Sequence, residues 1–339
     1  MTVLREAAAR SATAVKNMLA RGLASQAAWP AVAMVLRPTC VVLAYHRIGR
    51  AGDPFPHVEI EHFRAQMQWL RRHCTLLDVR DLRATVEAGK QPGPSVLITF
   101  DDGYRDYHEV AYPILRELRI PAVNFLPTHF IDHGGIFWWD AINLAVRVTR
   151  RDEVTLPWAS ARITLDAAGR RVVGRMCKDR LKQLMHDELP AELDAILDRL
   201  GVNSRQLEAE RHVMTWDQVR ATMALTTYGG HLHTHPLVSR IGVEQLEAEI
   251  RICRDRLAAE TGTAPRTFAY PDGDVVSAAK PLLTKYGFET AFTIREGIVD
   301  ADTDWLDILR YPGPPTLGRL AWLIARISGV GRGNRLFSG

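Results

Sequence analysis

Residues 95–103 read Ser-Val-Leu-Ile-Thr-Phe-Asp-Asp-Gly. The first six form a largely apolar run without polar alternation, and the run ends in two adjacent carboxylates and a glycine. A strand without alternation is one covered on both faces, the habit of parallel sheets flanked by helices. Six more short runs share this character: 40–45 (CVVLAY), 75–79 (TLLDV), 122–126 (AVNFL), 226–230 (TTYGG), 267–270 (TFAY) and 290–294 (TAFTI). Most are followed by helical periodicity, at 62–72 with Phe63, Met67 and Leu70 on one face, and at 107–119, 243–261 and 277–286. Alternating strands and helices imply an α/β fold with a parallel sheet. Seven or eight such units suggest a closed β/α barrel more than an open doubly wound sheet, with chemistry on the loops after strand C-terminal ends.

One interval breaks the rhythm. Between the fourth and fifth runs lie residues 127–225, far longer than an ordinary βα loop. Within it 151–168 reads as a hairpin and 170–200 as two helices, an insertion expected to sit over the catalytic face and shape substrate access. The expected organisation is an N-terminal basic helical segment (1–38), a barrel (39–312) and a basic C-terminal helix and tail (313–339).

The 339 residues are 47% hydrophobic and 24% charged, with 24 Gly and 18 Pro, which excludes disordered, collagen-like and disulfide-scaffold classes. Net charge is +4, mild for a nucleic-acid binder, but it is unevenly placed. Residues 1–40 carry +4 and 308–339 carry +5, leaving −5 for the middle. Cys40, Cys74, Cys177 and Cys253 form no C-x-x-C and read as buried thiols. No stretch approaches the roughly 20 apolar residues of a membrane span. The N-terminal run 22–36 is broken by Ser25, Gln26 and Pro30, too weak for a signal peptide, so a cytoplasmic location is expected. The basic termini would suit peripheral contact with anionic lipid at the inner membrane face. Leu317, Leu320, Trp322, Leu323, Ile324 and Ile327 fall near helical spacing around Arg319 and Arg326. That helix either caps the core, the favoured reading, or lies in a membrane interface.

Reactive groups cluster at strand ends. Asp101-Asp102-Gly103 alone would be a turn, although two carboxylates at a buried strand end need a cation or a shared proton. After residues 226–230 comes His231-Leu232-His233-Thr234-His235-Pro236. A His-x-x-x-His pair can hold one ion, and one added carboxylate completes a two-His-one-carboxylate site with open positions. His46 follows the first strand, and Tyr270-Pro271-Asp272-Gly273 forms a rigid turn after the sixth.

Taken in order, Thr99-Phe100-Asp101-Asp102-Gly103, His-x-x-x-His-Pro and Phe-Ala-Tyr-Pro-x-Gly resemble the polysaccharide deacetylases of carbohydrate esterase family 4, over roughly residues 40–312. The resemblance implies a distorted (β/α)7 barrel. It also implies a divalent metal, zinc first with cobalt, nickel, iron or manganese as alternatives, on Asp102, His231 and His235. Asp101 is then the general base. Two positions depart from the family pattern: Ala269 stands where many members have Arg, and no histidine follows His235 to serve as the late acid. The acid role falls to His46, with His233 as competitor. Leu232 replaces the usual Ser or Thr. The backbone N–H of Tyr104 is the expected oxyanion donor, and Tyr270, Pro271, Asp272, Gly273 and Trp139 complete the expected substrate contacts. The implied reaction is removal of N-acetyl groups from N-acetylglucosamine-like residues of a polysaccharide or lipid-linked glycan. An O-deacetylase or other amide hydrolase, or a non-catalytic glycan-binding protein, are the alternatives. Oligomeric state is not legible.

Overall fold

The computed structural model describes residues 39–89, 93–207 and 211–328. Its main sheet is parallel throughout. In chain order the strands are β1 (Thr39–Tyr45), β4 (Thr75–Leu77), β5 (Pro94–Phe100), β6 (Ala122–Leu126), β9 (Thr226–Gly230), β10 (Thr267–Ala269), β11 (Thr290–Phe292) and β12 (Tyr311–Pro312). Two small sheets lie outside it: β2 (Ile48–Gly49) with β3 (Val58–Glu59), and β7 (Glu153–Thr155) with β8 (Arg162–Thr164).

The spatial order is β11-β10-β9-β6-β5-β1-β12. β1 and β5 align along their whole length, Thr39 with Pro94 through Tyr45 with Phe100. A parallel bridge between Phe292 and Ile308, then Leu43 paired with Tyr311, carries the ring from β11 back to β1. The barrel therefore has seven strands, though not the seven expected. Residues 75–77 pair only with the first half of β5 and stand off the ring, and the last place goes to Tyr311–Pro312. A two-residue strand ending in proline has no period of its own, so its membership comes from its neighbours.

Every residue of β1 and β5 is buried. Val42, Leu97, Val123, Phe125 and Phe292 pack together on one side of the sheet. Val41, Leu43, Val96 and Ile98 face the other side with Phe63, Met67 and Leu70 of the helix Ile60–His73. The helix Leu317–Ile327 lays Leu320, Ala321, Ile324 and Ala325 into that same cluster. Each large buried side chain there contributes about 1.5–3 kcal/mol. Its apolar side is thus committed to the core and is not presented to lipid. The N-terminal segment 1–38 and the tail 329–339 lie outside the described residues. Among the described residues no helix is long and apolar enough to cross a membrane. The four cysteines carry no disulfide, and Cys40, Cys177 and Cys253 are buried.

Residues 127–225 hold the helices Thr128–His133 and Trp138–Val148, the antiparallel β7–β8 hairpin, and the helices Ala167–Leu181 and Leu189–Leu200. They bury a core of their own around Ile142, Val173, Cys177, Ile196 and Leu200. The Ala167–Leu181 helix begins where Asp166 accepts hydrogen bonds from Ala168 and Gly169 N–H. This unit walls one side of a cavity at the C-terminal ends of the barrel strands.

Candidate active site

Three donor atoms converge where β5 and β9 end. Asp102 Oδ1 lies 3.4 Å from His231 Nε2 and 3.3 Å from His235 Nε2, and the two imidazole nitrogens are 3.2 Å apart. A tetrahedral ion about 2.0–2.1 Å from each ligand would space its ligands by about 3.4 Å, so this donor set fits a divalent metal. His231 Nδ1 lies 2.7 Å from the Ala269 carbonyl, a contact that makes Nδ1 the donor and turns the Nε2 lone pair toward Asp102. Burial lowers the proton affinity of both imidazoles. It prevails for His235, whereas for His231 the hydrogen bond to Asp102 and the charges of Asp101 and Asp102 outweigh it.

The backbone is bent to make this cluster. Asp102 (φ 72°), Leu232 (φ 61°) and His235 (φ 60°) all occupy the left-handed region, which side chains other than glycine enter at a cost. Gly103 is obligatory at φ 64°, because a Cβ there would come within 2.7 Å of Leu126 and 2.9 Å of Ile131. Leu232 sends its side chain into an apolar cluster with Val238, Ile250 and Phe268. That explains a hydrophobic residue between two candidate ligands. The loop is held from behind by Glu249, which accepts hydrogen bonds from the N–H groups of His233 and Thr234, each 2.7 Å, and from the Thr234 hydroxyl.

Asp101 sits beside the cluster, 2% exposed, in the grip of Arg310. Both guanidinium contacts measure 2.8 Å, and Arg310 also donates to Thr99 Oγ1 and the Thr293 carbonyl. Burial pushes the Asp101 carboxyl up. The Arg310 charge and hydrogen bonds, joined by His231 and His46, outweigh burial and hold it below the ordinary carboxylate range. By sequence Arg310 counts with the basic residues of 308–339, yet it is 1% exposed and belongs to the site. The missing third-motif arginine was the signal that could have found it. With Ala269 at that place, a buried aspartate must draw its cation from another strand.

His46 is half exposed, 3.8 Å from Asp101 Oδ2, and faces the cavity. His233 does not, which corrects its candidacy as acid. Its Nδ1 meets Thr128 Oγ1 at 2.8 Å and its ring packs on His129, because the left-handed turns on either side rotate it away from its neighbours. The Tyr104 N–H has no acceptor among the described residues, while Gly103 and Arg105 on either side pair with Met214 and His212. Trp139 and Asp272 line the cavity, the latter paired with Lys182 at 2.6 Å. Tyr270, Pro271 and Gly273 do not line it, a second correction. Tyr270 is buried against Phe268 with its hydroxyl donating to Leu306 O, and Pro271 and Gly273 form the turn behind it.

Sequence reasoning also missed a buried cluster beside Tyr104. Arg47 lies over the Tyr104 and Phe55 rings and pairs with Asp140 at 2.7 Å and Asp106 at 3.6 Å. The Tyr104 hydroxyl donates to Asp140 and accepts from the Trp139 indole. Burial drives Asp106 up to about 7, against the Ile48 N–H and the Arg47 charge, and raises Asp140 as well.

Residues 88–155 match the family described as polysaccharide deacetylase. The same chain is 32% identical over 109 residues to a poly-β-1,6-N-acetyl-D-glucosamine N-deacetylase of Staphylococcus epidermidis, covering 27% of this chain and 37% of that one. The matched segment, residues 88–155, is similar to the polysaccharide deacetylases. A second relative of the same description, from Staphylococcus aureus, is 38% identical over 120 residues, 31% of this chain and 41% of its own. The alignment thus spans about two fifths of the curated relatives it matches. Across solved structures the chain shares its fold with Streptococcus pyogenes deacetylase PplD, at TM-score 0.58 and 16% identity over 84% of this chain and 98% of that one. IcaB from Ammonifex degensii follows at TM-score 0.56 and 18% identity, over 85% and 99%.

Proposed function

We propose that this protein is a metal-dependent hydrolase that removes N-acetyl groups from amino-sugar residues of a glycan and releases acetate. The observation that carries the reading is the placement of two ionisable groups, Asp101 and His46, beside one set of metal-fitting donors, Asp102, His231 and His235. The description of the staphylococcal relatives as N-deacetylases of a glucosamine polymer supports the substrate class.

Asp102, His231 and His235 would hold a divalent ion, zinc by the character of two imidazoles and one carboxylate, which when bound would acidify water and polarise a carbonyl. Asp101, kept ionised by Arg310, takes the proton of the attacking water as its oxygen bonds to the acetyl carbon. The Tyr104 N–H points the backbone dipole at the oxygen that gains charge. The C–N bond then breaks, and His46 delivers a proton to the departing amine nitrogen. Acetate and a free amino sugar leave. Trp139, with its ring 4.8 Å from that of His235, offers the sugar a flat apolar face. A cytoplasmic location would depend on residues 1–38, outside the described region.

The test is acetate release from a β-1,6-linked N-acetylglucosamine oligomer, with and without chelator, beside an O-acetylated oligosaccharide. Release from the amide that chelation abolishes supports the reading. Release from the O-acetyl substrate alone would move the assignment to an esterase, and binding without turnover to a glycan-binding protein.

A further inference from the structure

The cavity of about 840 Å³ has two unlike ends. One holds the donor set, Asp101 and His46. The other is formed largely by residues 127–225 and carries an apolar stretch: Ile136, Trp138, Leu184, Leu189 and Leu193 line it, with Leu237 from the loop after β9. All six are only partly buried, although the first five pack against the apolar core of their own unit. Ile294 stands 47% exposed at the same cavity. Sugar hydroxyls brought against aliphatic side chains lose water and gain no hydrogen bond, at roughly 1–3 kcal/mol each. A wall of this kind suits a hydrocarbon chain, and leaves a glycan to the Trp139 end.

The same cavity carries unpaired positive charge. Lys178 and Arg240 line this cavity and pair with no carboxylate among the described residues. Lys178 Nζ donates only to the neutral Asn143 Oδ1, at 3.0 Å, and Arg240 Nε is buried without a hydrogen-bond partner. An orphaned guanidinium N–H and an ammonium without a carboxylate, both lining one cavity, supply the chemistry of an anion site. His186 couples this wall to the metal end, its Nε2 lying 3.2 Å from Thr234 Oγ1, next to His235.

Resting on the deacetylase reading above, we infer that the substrate is a glycolipid: an N-acetylated amino sugar joined through a phosphate to a long hydrocarbon chain. The sugar occupies the metal end, the phosphate meets Arg240 and Lys178, and the chain lies along Leu184, Leu189 and Leu193.

The experiment uses the metal-loaded full chain and synthetic N-acetylglucosamine 1-phosphate esters of four-, eight- and twelve-carbon alcohols, beside chain-free N-acetylglucosamine trisaccharide. Each buried methylene is worth about fourfold in affinity. Acetate release is expected to show kcat/KM rising more than tenfold from four to eight carbons and exceeding that of the trisaccharide. In Leu193→Asp the ratio of twelve-carbon to trisaccharide kcat/KM falls at least tenfold, and Arg240→Gln lowers the preference for the phosphate ester over the matching alkyl glycoside. Titration calorimetry with dodecyl phosphate, which has no acetyl group, reads the chain site without catalysis. Binding that strengthens with chain length supports the site even where no substrate is turned over, the outcome that would sink the deacetylase reading alone. Turnover of the trisaccharide at or above the rate of the chain-bearing esters, or no binding of dodecyl phosphate, overturns it.

Discussion

Arg310 closes on Asp101 through two 2.8 Å contacts, and both residues are almost fully withdrawn from solvent. The cation immediately precedes β12 and the anion follows β5, with β1 between them, so the pair forms only once β12 has docked on β1. Removing one partner strands the other charge in the interior. Arg310→Met is expected to lose about 3–5 kcal/mol of stability in denaturant titration. In Asp101→Asn/Arg310→Met much of that loss should return, since neither charge is left unpaired. Arg310→Lys cannot make the two-pronged contact and should fall between. If the double variant is as unstable as the sum of the singles, the pair is not the source.

Metal binding should be readable without catalysis. Zinc at a hundred times its Kd is expected to stabilise the wild-type protein by about 2.7 kcal/mol, seen as a rise in Tm. His235→Ala and Asp102→Ala should show no such rise and should retain no stoichiometric metal on elemental analysis.

His46 and His233 separate cleanly. His46→Ala is expected to lower kcat for an N-acetyl sugar by about 10²–10³-fold, the worth of a positioned proton donor. The loss should be much smaller on 4-nitrophenyl acetate, whose leaving group needs no proton. His233→Ala, whose ring faces Thr128 and His129, should stay within about fivefold of wild type on both.

Glu249 acts at a distance from the chemistry. Its carboxylate collects the His233 and Thr234 N–H groups and so sets the path of the backbone between His231 and His235. Glu249→Ala is expected to weaken metal affinity about 10–100-fold in competition with a chelating dye. Unchanged affinity would remove Glu249 from the positioning scheme.

Asp106 sets a pH dependence of stability. Its folded pKa, pushed up to about 7 by burial, stands above the value near 4 expected in the unfolded chain. The folded state therefore holds the extra proton between about pH 4 and pH 7, and this group's contribution falls as pH rises through that window. At 1.36 kcal/mol per unit the change is roughly 4 kcal/mol at most. Asp106→Asn, which keeps an oxygen for the Ile48 N–H, should exceed wild type in Tm at pH 8 and lose that advantage near pH 4.

Much of this molecule is legible in its sequence, because the relevant information is local. Burial on both faces wrote β1 and β5 as unbroken apolar runs, and strand-end polarity put Asp101, Asp102, His231 and His235 at one rim. Their spacing on the chain already limits them to one cluster once the strands are parallel neighbours. What the tertiary structure decided depends on closure between distant segments. Tyr311–Pro312 displaced residues 75–77 from the ring, and Arg310 moved from the tail's charge to the partner of Asp101. His233 was turned away from the cavity by backbone angles that no residue pattern encodes. Arg47 found Asp140 across 93 positions of chain. Periodicity records which side of an element is buried; which charge meets which is set by the geometry of the closed barrel, and only there can a buried cation be matched to its carboxylate.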